Sequence, residues 1–190
     1  MAKVILSMNI SLDGFFEGPH HELDWSIADE YLHDFYADLL SHADLIVFGR
    51  VTYNMMASYW PTASNDPNIS SGERHFAEAL NPMAKIVYST TLTKVDWNTR
   101  LMRQFLPENF MKIKASTKGV ILLGGGASLV QPFIENHLVD EIQLVVHPVE
   151  IGAGKPFFQD LDHVVNLHLQ WIKPFPSGAI ALSYRLDGKA

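Results

Sequence analysis

The sequence predicts a three-layer α/β domain, in which helices cover both faces of a mainly parallel sheet that ends in an antiparallel edge. Two observations support this fold class. Strand-like and helix-like segments alternate over most of the chain from Lys3 to Pro148, and two further strand-like segments then follow each other directly. The 190 residues are enough for one substantial core, so we treat 1–190 as a single domain.

The composition disfavours several classes of protein. Hydrophobic residues make up 47% of the chain and charged residues 18%, which argues against disorder. The formal net charge of −7 disfavours nucleic acid as a partner, because nucleic-acid binders are usually basic. No apolar run approaches the roughly 20 residues of a membrane span, and the N-terminus does not resemble a signal peptide. We therefore expect a soluble, cytoplasmic protein without a membrane partner.

Sequence motifs for a metal site are also lacking. The chain contains no cysteine, which excludes thiolate catalysis and Cys-based zinc sites. The nine histidines form no HExxH motif, and His20-His21-Glu22 reads as a solvated loop. We therefore expect no bound metal.

The spacing of apolar residues predicts seven strands and five helices. The predicted strands are 3–11, 45–48, 85–89, 119–123, 141–148, 165–173 and 180–186. The predicted helices are 27–41, 52–58, 72–80, 107–115 and 128–137. The stretch from Tyr59 to Gly72 is rich in Pro, Asn, Asp and Ser, so we expect a surface loop there.

The most informative segment is Gly124-Gly125-Gly126-Ala127-Ser128, which follows an apolar strand. Bare backbone N–H groups at the start of a helix bind anions well. The spacing fits neither the GxGxxG fingerprint nor the P-loop. The alternative is a tight turn that needs positive φ, but three glycines exceed that need, which favours a phosphate site.

A second strand-to-helix turn reads Gly49-Arg50-Val51-Thr52-Tyr53. Glycine allows close approach of a ligand, arginine can clamp a phosphate, and Thr52 can cap the helix or donate to a phosphate oxygen. The alternative is an ordinary turn with an exposed arginine. Because ligands of such sheets bind at the carboxyl ends of strands, both turns are expected at the ligand-binding edge.

A third candidate region lies at the end of the first strand, at Ser11-Leu12-Asp13-Gly14. Asp13 could orient a polar substrate or help deliver a proton, or it could simply form an Asp-Gly turn. Trp25 and Trp60 could line a pocket for a flat ring, but buried core aromatics are an equal alternative.

The order of these motifs resembles the dihydrofolate reductase-like superfamily, in particular the branch similar to the reductase domain of the bifunctional riboflavin-biosynthesis deaminase-reductase. The resemblance covers almost the whole chain. The matching segments are Ser11-Leu12-Asp13-Gly14, Phe48-Gly49-Arg50-Val51-Thr52-Tyr53, Val87-Tyr88-Ser89-Thr90, Leu123-Gly124-Gly125-Gly126, and Val139-Asp140-Glu141-Ile142 leading to Pro148 through Gly154.

The resemblance implies a dihydrofolate reductase-like fold, NADPH as cofactor, a small-molecule substrate and a homodimer. It implies hydride transfer to a C=N or C=O carbon of a small heterocycle, similar to 5-amino-6-(5-phosphoribosylamino)uracil reductase. The implied cofactor-binding residues are Gly49, Arg50, Thr52, Ser89, Thr90, Gly124, Gly125, Gly126, Ala127 and Ser128. The implied substrate side consists of Asn9, Ser11, Trp25 and Trp60, with Asp13 as the catalytic residue.

One departure from the family pattern and one likeness to folate reductases leave alternatives open. Riboflavin-pathway reductases carry an acidic run shortly after the first phosphate motif, where this chain has Met56-Ala57-Ser58-Tyr59-Trp60-Pro61. Asp29 and Glu30 follow Trp25 at about the distance of the carboxylate of folate reductases. The alternatives are therefore a dihydrofolate reductase-type activity or a non-catalytic nucleotide-binding protein of the same fold.

Overall fold

The computed structural model describes residues 1–158 and 164–186. The strands are β1 (Lys3–Ser11), β2 (Phe15–Glu17), β3 (Ala43–Gly49), β4 (Ala84–Tyr88), β5 (Thr99–Met102), β6 (Val120–Gly124), β7 (Glu141–His147), β8 (Lys155–Pro156), β9 (Leu167–Pro174) and β10 (Ile180–Leu186). The helices are α1 (Glu30–Ser41), α2 (Arg50–Ala63), α3 (Ser71–Leu80), α4 (Pro107–Ser116) and α5 (Ala127–Glu135). Within these residues, no helix is both long and apolar enough to cross a membrane.

Eight strands form one sheet in the order β5-β4-β3-β6-β1-β7-β10-β9. The six strands from β5 to β7 run parallel, whereas β10 pairs antiparallel with both β7 and β9. Strands β2 and β8 form a separate two-stranded sheet. The predicted mainly parallel sheet with an antiparallel C-terminal edge is confirmed.

The side chains of β3 alternate between two apolar layers. Leu45 and Val47 are buried in a cluster with residues of α4 and α5, whereas Ile46 and Phe48 are buried with residues of α1, α2 and α3. Because both faces of the central strands are covered, their sequences are almost continuously apolar. The predicted three-layer architecture is therefore confirmed, with three helices on one face of the sheet and two on the other.

The loop expected between Tyr59 and Gly72 is shorter in the structure, where it covers only 64–70. Helix α2 continues to Ala63 and contains Pro61, and α3 begins at Ser71 with a capping box on Ser70. The extension carries Trp60 onto Phe76, with the two ring centroids 4.5 Å apart. Tertiary packing therefore outweighs the loop-like composition of this stretch.

The other differences concern short elements and one boundary. Strands β2, β5 and β8 were missed because their 3, 4 and 2 residues are too short to show a period. Helix α1 begins at Glu30 rather than at Ile27, since the side chain of Asp29 caps it by accepting a hydrogen bond from the backbone N–H of Leu32.

A buried ammonium group joins the end of α3 to the start of β4. Lys85 is 2% exposed, and its Nζ donates to the carbonyl oxygens of Leu80 at 2.8 Å, Met83 at 2.8 Å and Asn81 at 3.2 Å. The ammonium also lies 4.2 Å from the ring centroid of Trp97. Burial lowers the pKa of Lys85 to about 8, so the group is still charged at neutral pH and can satisfy these carbonyls.

We expect Lys85→Met to lower the free energy of unfolding at pH 7 by about 1–3 kcal/mol, because it leaves buried carbonyl oxygens without a donor. Urea denaturation followed by circular dichroism measures this loss. Lys112→Met, which changes an exposed lysine of α4, is the matched control and should change the free energy by less than about 0.5 kcal/mol. Equal effects of the two substitutions would contradict a stabilising role for Lys85.

Candidate functional site

The two glycine-containing turns lie side by side at the carboxyl edge of the sheet. Gly49 is the N-cap residue of α2 and Gly126 is that of α5, and no side chain caps either helix. Their preceding strands β3 and β6 are hydrogen-bonded neighbours, with Phe48 paired to Gly124. The first backbone N–H groups of both helices therefore lie near each other, where they could donate to the same anion.

Gly125 brings the two helix starts into close approach. A Cβ atom at this position would lie 3.2 Å from the backbone nitrogen of Gly49 and 2.9 Å from Cδ2 of Leu129. A Cβ at Gly124 or Gly126 would meet only ring atoms at 3.6 Å, which is an ordinary contact. None of the three glycines has positive φ, so the alternative of a turn that needs positive φ is wrong. Glycine is favoured at position 125 because a Cβ atom there would be too close to its neighbours.

The charges at these helix starts favour an anion. Neither α2 nor α5 has an acidic residue in its first turn, so no side chain neutralises the partial positive charge of the helix N-termini. Arg50 is exposed at the first position of α2, and Thr52 is half-buried two residues later. Ser128 is exposed in the first turn of α5. The structure thus brings together the two predicted phosphate motifs.

Ser89 and Thr90 follow β4, the neighbour of β3, at the same edge of the sheet. The hydroxyl of Ser89 is buried and accepts hydrogen bonds from the backbone N–H groups of Thr91 at 3.2 Å and Leu92 at 3.1 Å. Ser89 therefore shapes this turn, and Thr90 is exposed on it.

A cation that was not predicted from the sequence reaches the same turn from the end of β5. Arg103 follows β5 directly, and its Nη1 donates to the carbonyl oxygen of Leu92. Arg103 was hard to predict because the four-residue strand before it is too short to show a period of its own.

Asp13 holds the end of β1 to a distant segment of the chain. Its Oδ1 accepts a hydrogen bond from Oγ of Ser11 at 2.5 Å, and its carboxylate also accepts from the backbone N–H groups of Gly152 at 2.8 Å and Ile151 at 3.3 Å. The hydrogen bond from Ser11 is the largest cause that lowers the pKa of Asp13, so the carboxylate is ionised at neutral pH. These contacts support the turn-forming interpretation, and a catalytic role for Asp13 stays a prediction.

Trp25 lies beside two polar residues at the ends of β1 and β7. Its ring meets that of His147 edge-on, with centroids 5.6 Å apart. Nε2 of His147 lies 3.1 Å from Oδ1 of Asn9, which also accepts a hydrogen bond from the hydroxyl of Tyr36 at 2.5 Å. Asn9 and Trp25, both predicted on the substrate side, are therefore brought together around His147.

His147 and Tyr36 were not predicted as site residues. The one available signal for His147 was a polar residue closing an otherwise apolar strand, directly before Pro148. Tyr36 lies within the helical pattern of α1, where a tyrosine is typical of a core. Burial lowers the pKa of His147 and raises that of Tyr36, so both side chains are uncharged at neutral pH.

Trp60 and the two acids after Trp25 have other partners. The ring of Trp60 packs 6.0 Å from that of His33 as well as against Phe76, which favours the core interpretation over a shared pocket with Trp25. Asp29 caps α1, and Glu30 accepts a hydrogen bond from the hydroxyl of Ser71. Both carboxylates thus accept hydrogen bonds from the first turn of a helix, Asp29 from α1 and Glu30 from α3.

An open depression of about 530 Å³ lies elsewhere, near the amino ends of β3 and β4. Its lining includes Leu45, Lys85, Trp97 and Arg100. The strands that carry the glycine turns present their carboxyl ends at the opposite edge of the sheet. The depression is therefore separate from the predicted site.

Known proteins resemble this chain over nearly its whole length. Residues 2–181 match the family model of the RibD C-terminal domain. The uncharacterized protein YyaP of Bacillus subtilis (strain 168) is 33% identical over 186 residues, which cover 98% of this chain and 96% of YyaP.

Two solved structures share the fold. A protein of Shewanella sp. PV-4, provisionally assigned to riboflavin biosynthesis, superposes with a TM-score of 0.71 at 20% identity, over 99% of this chain and 100% of that one. Dihydrofolate reductase from Enterococcus faecalis, complexed with NADP(H) and RAB-propyl, superposes with a TM-score of 0.66 at 15% identity, over 98% and 97% of the two chains. With the family match over residues 2–181, these likenesses show that the chain belongs to the RibD C-terminal domain family and has the dihydrofolate reductase-like fold.

Proposed function

We propose that this protein is an NADPH-dependent reductase that transfers a hydride to a C=N or C=O carbon of a small heterocyclic substrate. The observation that carries the proposal is that two helix N-termini without side-chain caps, at Gly49 and Gly126, lie close together where Gly125 approaches Gly49. Membership of the RibD C-terminal domain family supports a reductase, and the E. faecalis dihydrofolate reductase of the same fold is complexed with NADP(H).

The helix starts fit the pyrophosphate of a dinucleotide. Backbone N–H groups of α2 and α5 would donate to its oxygens, and the exposed Arg50 would add a charge-assisted hydrogen bond. The turn after β4 lies one strand further out, where Thr90 and Arg103 would receive the adenosine 2′-phosphate. In this arrangement Arg50 serves any dinucleotide, whereas Arg103 selects NADPH over NADH.

The substrate side lies at the carboxyl ends of β1 and β7, next to β6 in the sheet. When bound, the reduced nicotinamide supplies the hydride. Asn9 and Trp25 would position the substrate, and Trp25 would shield it from water. Since Asp13 is ionised and His147 is neutral at pH 7, neither is suited to donate a proton there, and of its two predicted roles Asp13 fits substrate orientation better.

The substrate class is proposed by analogy with the family. Reduction of an aminouracil bearing a phosphorylated sugar chain remains the first candidate. A folate-type activity has less support, because Asp29 is committed to the N-cap of α1.

The direct test is to titrate the protein with NADPH and follow nicotinamide fluorescence, then to assay NADPH oxidation with pterins, aminouracil ribosides and aldehydes. We expect a dissociation constant below about 1 mM, since helix N-termini and arginine both favour the bound phosphates, and oxidation with at least one substrate class. Absence of binding would remove the proposal. Binding without oxidation across the panel would instead identify a non-catalytic nucleotide-binding protein.

A comparison of two arginine substitutions tests the proposed division of roles. We expect Arg50→Ala to weaken NADPH and NADH to a similar degree, about tenfold or more, because it removes a charge-assisted hydrogen bond to the pyrophosphate. Arg103→Ala should weaken NADPH by a similar factor and leave NADH nearly unchanged. Isothermal titration calorimetry measures all four affinities.

Arg100→Ala is the matched control for these substitutions. Arg100 is exposed in the depression near the amino ends of β3 and β4, away from the glycine turns, so its loss should leave both affinities unchanged. A larger effect of Arg100→Ala than of Arg50→Ala would place the cofactor at the wrong edge of the sheet and contradict the proposal.

A further inference from the structure

A buried histidine fixes the orientation of a side-chain amide at the substrate end of β1. His147 is fully buried, and its Nδ1 accepts a hydrogen bond from the backbone N–H of Ile27 at 3.0 Å. A backbone N–H can only donate, so Nδ1 carries no proton. The proton of the neutral ring is therefore on Nε2.

The Nε2–H group of His147 determines which way Asn9 faces. It lies 3.1 Å from Oδ1 of Asn9, and as a donor it requires an acceptor there. The hydroxyl of Tyr36 donates to the same oxygen at 2.5 Å. Burial raises the pKa of Tyr36, so this hydroxyl keeps its proton. Reversing the amide would set an N–H group of Asn9 against the Nε2–H of His147, which can only donate.

The amide nitrogen of Asn9 therefore faces away from this network. Asn9 is half-buried, and among residues 1–158 and 164–186 its Nδ2 has no hydrogen-bond partner. This unpaired Nδ2 is not fully buried, so a ligand or solvent can reach it. The network thus leaves the two N–H donors of the Asn9 amide available to a ligand, near the end of a central strand.

We propose that the side-chain N–H of Asn9 selects the substrate by donating a hydrogen bond to it. The substrate then needs an acceptor at the reducible bond, either a carbonyl oxygen or an unprotonated ring nitrogen. His147 is a positioning residue that acts through Asn9. This inference rests on the proposed reductase function. It deepens that function by naming the group on the substrate that the protein recognises.

The same donor has a role in the chemistry. A bound NADPH would supply the hydride for the new C–H bond, and the π electron pair of the C=O or C=N bond would move onto the heteroatom. Negative charge grows on that atom, where the N–H of Asn9 stabilises it more strongly than in the ground state. The heteroatom would then take a proton from water, which completes the reduction.

The tautomer can be tested without any ligand or cofactor. Nitrogen-15 NMR of the histidine side chains at pH 7 should show His147 as a neutral ring protonated on Nε2, with the assignment made from His147→Gln. A ring protonated on Nδ1, or an imidazolium, would overturn the inference, because neither fixes the amide of Asn9 in this orientation.

Recognition is tested with uracil, a planar ring with two carbonyl oxygens, by NMR titration in the absence of NADPH. Wild-type protein should show a shift of the Asn9 side-chain amide on titration. Asn9→Asp, which is isosteric but replaces the donor by an acceptor, should bind uracil at least about tenfold more weakly. Unchanged affinity in Asn9→Asp, or no shift of the Asn9 amide in saturated uracil, would overturn the inference.

Two substitutions at His147 separate positioning from packing. Glutamine places a donor near the position of Nε2, facing Asn9, whereas asparagine places an acceptor near the position of Nδ1, facing Ile27. We expect His147→Gln to keep the uracil affinity within about threefold and His147→Asn to lose about tenfold. Equal losses in the two variants would show that His147 only packs. Since none of these measurements uses NADPH, their failure is distinguishable from a failure to bind the cofactor.

Discussion

The contact between Gly49 and Gly125 is the constraint on which the candidate site depends. Strands β3 and β6 are paired so that the last residues of both strands lie next to each other, and the chain turns into a helix from each. A side chain at Gly125 would press on the backbone nitrogen of Gly49. Without that side chain, two helix N-termini share one small region of the edge. Their partial positive charges add there, with no acid in either first turn to offset them.

The order of the strands connects this region to the substrate side. Strand β1 lies beside β6, and β7 beside β1, so Asn9 and His147 follow the glycine turns along the same edge. Neighbouring strands are about 4.8 Å apart, which puts the two regions roughly 5–15 Å from each other. An extended dinucleotide spans such a distance. The parallel arrangement of β3, β6, β1 and β7 would therefore allow the proposed phosphate site and the proposed hydride-acceptor site to face one ligand.

How far the sequence predicts this structure depends on the range of each interaction. The longer strands and all five helices follow from local periodicity, and both phosphate turns follow from glycine directly after a strand. Strand β5 and the extension of α2 depend on contacts with distant residues, such as Trp60 on Phe76. The same holds for His147, since its partners Asn9 and Ile27 are 138 and 120 residues away in the chain. Asp13 illustrates the converse: its type and position suggest chemistry, but the structure commits its carboxylate to Gly152 and Ser11.

The central claim is that glycine at position 125 keeps the two helix starts close enough to bind one phosphate group together. The most direct measurement is the NADPH affinity of Gly125→Ala compared with that of Gly124→Ala. An added Cβ at Gly124 makes only an ordinary contact with Phe48, so this variant should bind like the wild type. Gly125→Ala should remain folded by circular dichroism but bind NADPH about tenfold or more weakly, since the added Cβ lies 3.2 Å from the backbone nitrogen of Gly49 and must shift the two helix starts relative to each other. Equal affinities of the two variants would contradict the account.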